Sequence, residues 1–196
     1  YIGQLNAYCV PYDVYQEDLN PAKGDFAHPG YKLALEKYSQ LTPYFNPSAN
    51  AIRHDEARSS LFTGEAAMMY LEIIEIPTIE SEAPEEFRNN YDVFVMPEVT
   101  EGEGDPNALI GYPEGFVISA NTDHPEEAVK FLKYLTGKEV GQKEANDLGF
   151  VNGVKNVVSE GEIKDSIYNT TQLVLETERL VNWFDSSLHA EIWSVA

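Results

Sequence analysis

Residues Phe62-Thr-Gly-Glu-Ala-Ala-Met-Met-Tyr-Leu-Glu72 contain the end of a helix, a turn and a predicted strand. The residues from Asp55 to Phe62 are spaced as on one short helix, and Gly64 stands where a left-handed C-terminal cap is expected. The apolar run from Ala66 to Ile74 then predicts a buried strand. A helix that leads through a glycine cap into a buried strand is typical of an α/β fold.

The second informative stretch, Gly111-Tyr-Pro-Glu-Gly-Phe-Val-Ile-Ser-Ala-Asn-Thr-Asp-His-Pro-Glu-Glu-Ala-Val-Lys-Phe-Leu-Lys-Tyr-Leu-Thr136, joins a strand to a helix. Gly115–Ala120 predicts the strand, and Asp123 and Glu126 have the spacing of a capping box. The buried stripe of the helix is predicted to comprise Ala128, Phe131, Leu132 and Leu135.

The rest of the chain alternates between helical and extended patterns. Helices are predicted from Pro29 to Leu41, from Lys138 to Asn146 and from about Gly161 to Trp183. Tyr91–Met96 predicts a further strand, and residues 78–90 predict an exposed connection. Residues 101–106 predict a flexible turn with too little apolar material to pack. Residues 1–30 are rich in tyrosine and turn residues, so no regular element is predicted there. The predicted fold class is α/β.

The charge of the chain argues against several classes of partner. Thirty-three acidic and thirteen basic residues give a formal net charge of −20, which repels a phosphate backbone and anionic lipid. The sequence therefore predicts no nucleic-acid partner. No apolar run reaches the roughly 18 residues of a membrane span. The single cysteine, Cys9, excludes an internal disulfide and is expected to be buried and inert.

The sequence contains no recognisable metal, cofactor or nucleophile motif. The four histidines are isolated in sequence, and neither a Walker motif nor Gly-x-Ser-x-Gly is present. Glu72 and Glu114 are one pair that would suit a glycoside hydrolase, but thirty-three acids supply such pairs by chance. Aromatic and acidic side chains are also the parts of a carbohydrate-binding site, although the same residues serve equally as core and surface. We predict binding without catalysis, cofactor or metal.

The motifs resemble a known family in their order and spacing. Asp55-Glu-Ala57 followed by Phe62-Thr-Gly-Glu-Ala-Ala-Met68 resembles the Asp-Glu-Ala…Phe-x-x-Gly-x-Ala-Ala-Met pattern of extracellular solute-binding proteins of the sugar-binding type, with the glycine one place earlier. Val93–Pro97 resembles the next strand of that family, and Gly111–Ser119 its glycine-rich hinge strand. Gly149-Phe-Val-Asn-Gly153 is similar to the turn at which the chain returns. The resemblance covers roughly residues 20 to 196.

The resemblance implies one lobe of a type II periplasmic-binding-protein-like fold, with helices around a small mixed sheet. Residues 1–110 and 159–196 are then expected in the second lobe. Residues 111–158 contribute a hinge strand and helices to the first lobe, and the rest of that lobe is expected to be absent, so the chain would be truncated. In this family two lobes close over a solute, and the closed form is recognised by the permease of an ABC importer.

The resemblance also points to residues that would face the cleft. They are Glu72, Ile74, Tyr112, Glu114, Trp183 and Asp185. Glu72, Glu114 and Asp185 are expected to accept hydroxyl hydrogens, and Tyr112 and Trp183 to stack on sugar rings. Ile74 stands where the family often has a stacking tryptophan. Helix packing for Trp183, a solvated strand end for Glu72 and a turn for Glu114 are the alternatives.

The predicted function is non-catalytic binding of a solute, an oligosaccharide or a related polyol, by the receptor of an ABC importer. The implied location is extracellular or periplasmic, with a lipid anchor on an N-terminal segment outside these residues. Two other functions stay open at this point: a carboxylate-dependent glycoside hydrolase and an acidic protein-interaction domain without a small-molecule ligand.

Overall fold

The computed structural model describes residues 1–112 and 114–183, and the chain divides into two compact units. Unit 1 comprises residues 1–49, 96–113 and 177–196, and unit 2 comprises residues 50–95 and 114–176. These boundaries, which follow contacts within the chain, fall at other residues than the lobe boundaries that the resemblance implies. The assignment of segments to the lobes of a two-lobed protein stays a prediction.

Unit 1 combines helices with a small parallel sheet. Its elements in the described residues are α1 (Ile2–Cys9), α2 (Tyr12–Asp18), α3 (Pro29–Leu41), a 3-10 turn at Thr42–Tyr44, β1 (Ala108–Ile110) and β2 (Arg179–Val181). The strands are parallel, with Ala108 opposite Arg179 and Ile110 opposite Val181. The α/β class is confirmed. The described sheet is parallel, however, so the expectation of a mixed sheet is not met here.

The core of unit 1 lies between α1, α3 and the sheet. Its buried side chains are Leu5, Ala7, Cys9, Val10, Tyr15, Ala34, Ala108 and Val181. Helix α3 begins where predicted, because His28 Nδ1 accepts the Gly30 amide at 3.0 Å and Pro29 suits the first turn. Helices α1 and α2 occupy residues for which the sequence predicts no element.

The loop around Glu101–Asp105 packs against α1 through its backbone, although the sequence predicts a turn with too little apolar material to pack. The amides of Gly104 and Asp105 donate hydrogen bonds to the carbonyls of Tyr8 and Ala7 at 3.0 and 3.1 Å. The loop therefore satisfies carbonyls that the end of a helix leaves without intrahelical partners. Glycine at position 104 allows this approach, since a Cβ there would lie 2.1 Å from the Ala7 oxygen.

Unit 2 is helical in the residues that the structure describes. Its elements are α4 (His54–Phe62), a 3-10 turn at Ile73–Glu75, α5 (Ile76–Glu82), α6 (Glu85–Arg88), α7 (Pro125–Leu135), α8 (Lys138–Leu148) and α9 (Asp165–Glu176). Helix α4 ends as predicted, with Gly64 at a φ of 77°. Most of residues 78–90 lie in α5 and α6, and Ile79 and Ala83 are buried, so the predicted exposed connection is wrong at these positions.

The three predicted strands at Ala66–Ile74, Tyr91–Met96 and Gly115–Ala120 are not strands in this structure. An apolar run forms a strand only when another strand supplies partners for its backbone hydrogen bonds. No such ladder forms at these described residues. Their apolar side chains are correspondingly open to solvent: Met68 is 70%, Phe94 66% and Val117 94% exposed.

Two helices of the structure differ in detail from their predicted form. Helix α7 has Pro125 in its first turn as predicted, but its N-cap is His124 without a side-chain cap, so the capping box of Asp123 and Glu126 is wrong. None of its residues is buried, and Phe131, placed in the predicted buried stripe, is 60% exposed. The helix predicted to reach Trp183 ends at Glu176, and β2 follows it.

Candidate ligand-binding site

The carboxyl ends of β1 and β2 lie at the same edge of the parallel sheet in unit 1. At this edge the Gly111 amide donates a 3.0 Å hydrogen bond to the Val181 carbonyl, which closes the last pair of the two strands. In open α/β sheets, ligands bind outside the carboxyl ends of the strands. This edge is therefore the first place to look for a binding site in unit 1.

Tyr112 and Trp183 occupy equivalent positions at this edge. Ile110 pairs with Val181, and each aromatic residue follows its strand by two positions. Neighbouring strands are spaced by roughly 5 Å, so the two aromatic residues stand on adjacent chain segments. The Tyr112 side chain is exposed, and Trp183 is partly buried. We name this pair of residues the aromatic edge.

The indole of Trp183 carries a buried hydrogen-bond donor. Its Nε1–H is buried and has no acceptor among residues 1–112 and 114–183. A buried donor without an acceptor carries a free-energy cost.

Glycine at position 111 fits the close packing at the aromatic edge. A Cβ on this residue would lie 3.0 Å from Leu180 Cδ2, which is closer than ordinary van der Waals contact. The absence of a side chain therefore lets the Gly111 backbone approach β2 closely.

The other predicted ligand residues are placed elsewhere. Glu72 precedes the 3-10 turn at Ile73–Glu75 as its N-cap, and Ile74 within that turn is 48% exposed. Glu114 is exposed, and all three belong to unit 2, whereas Tyr112 and Trp183 belong to unit 1. Asp185 lies outside the described residues. Of the predicted ligand residues that the structure describes, Tyr112 and Trp183 lie in the same unit.

One residue at this sheet was not found from the sequence. Gln4 on α1 is buried, and its side-chain amide contacts both Ala108 and Ile110 of β1. A single glutamine in the segment Ile2-Gly-Gln-Leu-Asn6 carries no local pattern that distinguishes it from a surface residue, so only the folded structure reveals this contact.

Two polar cavities lie away from the aromatic edge. A cavity of about 380 Å³ in unit 1 includes Arg179, whose guanidinium lies 4.4 Å from the Tyr12 ring and 3.5 Å from Asp105. A cavity of about 560 Å³ in unit 2 includes Glu80 and Lys164, which pair with each other. These charged groups already have partners, and no predicted ligand residue lines either cavity.

The described residues contain no group of three acidic, histidine or cysteine side chains arranged to hold a metal ion. None of the helices described in the structure is long and apolar enough to cross a membrane.

One family model and one solved structure are similar to this chain. The family model of the bacterial extracellular solute-binding protein matches residues 2–142, which is more than half of the chain. A solved structure named "Chitin oligosaccharide binding protein" is similar with a TM-score of 0.78 and 19% identity, over 98% of this chain and 48% of that one. The chain thus spans about half the length of that protein, and the likeness shows the fold alone. No curated protein matches the sequence. The matching family consists of binding proteins rather than enzymes, and this chain belongs to it: it is a member of the bacterial extracellular solute-binding protein family.

Proposed function

We propose that this chain belongs to the receptor of an ABC importer and binds an oligosaccharide or a related polyol without altering it chemically. Membership of the solute-binding family supports capture of a small molecule. The similar solved structure is named for binding chitin oligosaccharides, which favours a carbohydrate over other solutes.

The aromatic edge is the observation that carries the carbohydrate proposal. Tyr112 and Trp183 follow paired parallel strands by the same number of residues, at the edge where such sheets bind ligands. Aromatic rings just beyond two adjacent strands are suited to stack on the apolar face of a sugar ring. Asp185 follows Trp183 by two positions, and we propose that its carboxylate accepts a ligand hydroxyl hydrogen.

The remaining predicted residues are proposed to complete the site in a two-lobed receptor. Glu72 and Glu114 would accept hydroxyl hydrogens, and Ile74 would line the cleft as an apolar surface. In this proposal residues 1–110 and 159–196 belong to one lobe and 111–158 to the other, with the hinge near Gly111. The similar structure is about twice as long as this chain, which supports the contribution of further residues to the site.

The proposed partner is the permease of the importer, which would recognise the closed form. The family is one of extracellular proteins, so this chain is extracellular or periplasmic. A lipid anchor on an N-terminal segment is the proposed attachment to the membrane.

Thermal shift and calorimetry of the full-length protein against a panel of oligosaccharides and polyols test this proposal. A ligand at 100 times its Kd is expected to stabilise the folded state by about 2.7 kcal/mol. Tyr112→Ala and Trp183→Ala are each expected to weaken binding by roughly tenfold, because each loses a stacked ring. Tyr44→Ala is the matched control, since Tyr44 is an 86% exposed tyrosine of unit 1 that lies outside the aromatic edge.

Two results would overturn the proposal. Release of reducing ends from the oligosaccharides would indicate a glycoside hydrolase, with loss of turnover in Glu72→Gln. Absence of ligand-dependent stabilisation across the whole panel would favour an acidic interaction domain.

A further inference from the structure

Gln4 connects α1 to the backbone of β1. Its Nε2 donates a 2.7 Å hydrogen bond to the Ala108 carbonyl, and its Oε1 accepts the Ile110 amide at 2.9 Å. The side chain is buried, with 3% of the residue exposed. Both polar atoms of the amide are therefore used on one strand, more than one hundred positions away in sequence.

The edge of β1 that Gln4 occupies is the one opposite β2. The Gly111 amide faces β2, where it bonds Val181. Backbone amides of successive residues in a strand point to opposite edges, so the Ile110 amide and the Ala108 carbonyl face away from β2. A neighbouring parallel strand would bond this same amide and carbonyl, one on each side of Leu109. The amide of Gln4 thus stands in for one residue of a third strand.

The strands held in this way are short. β1 and β2 have three residues each, and few hydrogen bonds hold their pairing. A slip of one residue would turn every side chain to the other face of the sheet. Contacts on both edges of β1 resist such a slip, and a Cβ on Gly3 would meet the Ile110 side chain at 3.6 Å, which places α1 directly against the strand.

We propose that Gln4 is a positioning residue for the aromatic edge: it fixes β1 in register with β2 and so sets the position of Tyr112 relative to Trp183. Its effect on ligand affinity rests on the proposed function, whereas its effect on the strand does not. The experiment therefore measures the two separately in the full-length protein.

The first measurement uses hydrogen exchange without ligand. Gln4→Met keeps the length of the side chain and removes both hydrogen bonds, so exchange of the Ile110 amide is expected to accelerate by roughly tenfold or more. The Trp183 indole N–H resonance, assigned by its loss in Trp183→Phe, is expected to shift. Tyr8→Phe is the control: on the same helix it removes a 2.7 Å hydrogen bond to the Met96 carbonyl, which lies outside β1.

A second variant separates positioning from general packing. In Gln4→Glu the ionised carboxylate accepts the Ile110 amide but donates nothing to Ala108, whereas the protonated carboxyl does both. Protection of Ile110 in this variant is expected to recover as the pH falls through the pKa of the introduced carboxyl. Gln4→Met should show no such recovery. This comparison also serves if Gln4→Met fails to fold.

The binding measurement completes the test. With an oligosaccharide that the wild type binds, Gln4→Met is expected to lose roughly tenfold more affinity than Tyr8→Phe at a temperature where both are folded. Unchanged exchange at Ile110, or no pH recovery in Gln4→Glu, would overturn the positioning role. Faster exchange with unchanged affinity would overturn its link to binding. If Ile110 exchanges faster in Gln4→Met but the wild type binds no solute, the proposed function is overturned. The role of Gln4 in holding the register of β1 then stands.

Discussion

The ammonium group of Lys164 lies 2.7 Å from Oε1 and 3.0 Å from Oε2 of Glu80, so both carboxylate oxygens accept from one cation. The Tyr91 hydroxyl donates to the same Oε1 at 2.6 Å, and Lys164 lies 4.9 Å from the centroid of the Tyr91 ring. Burial, followed by the hydrogen bond to Glu80, raises the pKa of the Tyr91 phenol above its ordinary value, so Tyr91 remains a donor. These three residues connect α5 to the segment before α9.

Removal of this cation is expected to destabilise the chain. Lys164→Met leaves the Glu80 carboxylate, whose side chain is only 21% exposed, without its charged partner. We expect the free energy of unfolding to fall by about 1–3 kcal/mol, because a partly buried charge loses its compensation. Urea denaturation of wild type and variant measures the difference.

Lys32→Met is the matched control for that measurement. Lys32 pairs with Glu36 at 3.5 Å on the exposed surface of α3, where the lysine side chain is 83% exposed. Exposed i,i+4 pairs contribute only about 0.3–0.5 kcal/mol. Equal losses in the two variants would contradict the importance of the Glu80 contact.

Alanine at position 104 is expected to disrupt unit 1. The new Cβ would lie 2.1 Å from the Ala7 carbonyl oxygen, and the nearest atoms that it would meet all belong to the backbone, so the loop must move off α1. We expect Gly104→Ala to lower the free energy of unfolding by about 3 kcal/mol or more, since the loop also loses its hydrogen bonds to the helix end.

Gly153→Ala provides the comparison for Gly104→Ala. Nothing lies within 4 Å of a Cβ at Gly153. The free energy of unfolding of Gly153→Ala should therefore differ from that of the wild type by less than about 1 kcal/mol. Thermal and urea denaturation of both variants measure the contrast. If Gly104→Ala is as stable as the wild type, the loop does not depend on the close approach of residue 104 to the backbone of α1.

Local periodicity predicted the helices better than the sheet. Helices α3, α4 and α8 lie close to their predicted bounds because their signals, such as apolar spacing and caps, come from neighbouring residues. The run Ala66–Ile74 has the composition of a strand but lacks a partner in the described residues, and pairing is a long-range property. The pairing of Ile110 with Val181, 71 positions apart, has no local signature at all.

At the candidate site, too, the sequence identified individual residues but not the long-range contacts between strands. The resemblance identified Tyr112 and Trp183 as ligand residues, but the helix predicted to contain Trp183 ends at Glu176. Their equivalent positions follow from the register of β1 with β2, which the sequence does not specify. Gln4 was missed because its two contacts lie more than one hundred residues away.

The thiol of Cys9 is expected to be unreactive in the folded protein. Cys9 is 1% exposed within the core of unit 1, and burial raises the pKa of its thiol above the ordinary value. The thiolate is the reactive species, so both effects slow alkylation. We expect iodoacetamide at pH 8 to modify the native chain at least about a hundredfold more slowly than the chain in guanidinium.

An exposed thiol in the same unit is the control for Cys9. Ser48 is exposed, so Ser48→Cys in a Cys9→Ala background should react at the rate of a free thiol in native conditions. Alkylation of native Cys9 at a comparable rate would show that α1 opens readily and would contradict its burial.

The carboxyl group of Glu101 is expected to titrate below its ordinary pKa of 4.5, because the Lys37 ammonium donates a 2.7 Å hydrogen bond to it. A carboxyl whose pKa is lowered by folding binds fewer protons in the folded state. The pair therefore stabilises the fold at a pH above the ordinary pKa of Glu101, and this contribution is lost as the pH falls through the lowered value. A carbon-13 NMR titration of the Glu101 carboxyl measures the midpoint, which Lys37→Met should raise. Identical midpoints in wild type and Lys37→Met would show that Lys37 does not hold Glu101 in solution, and the loop would then depend on its backbone contacts with α1 alone.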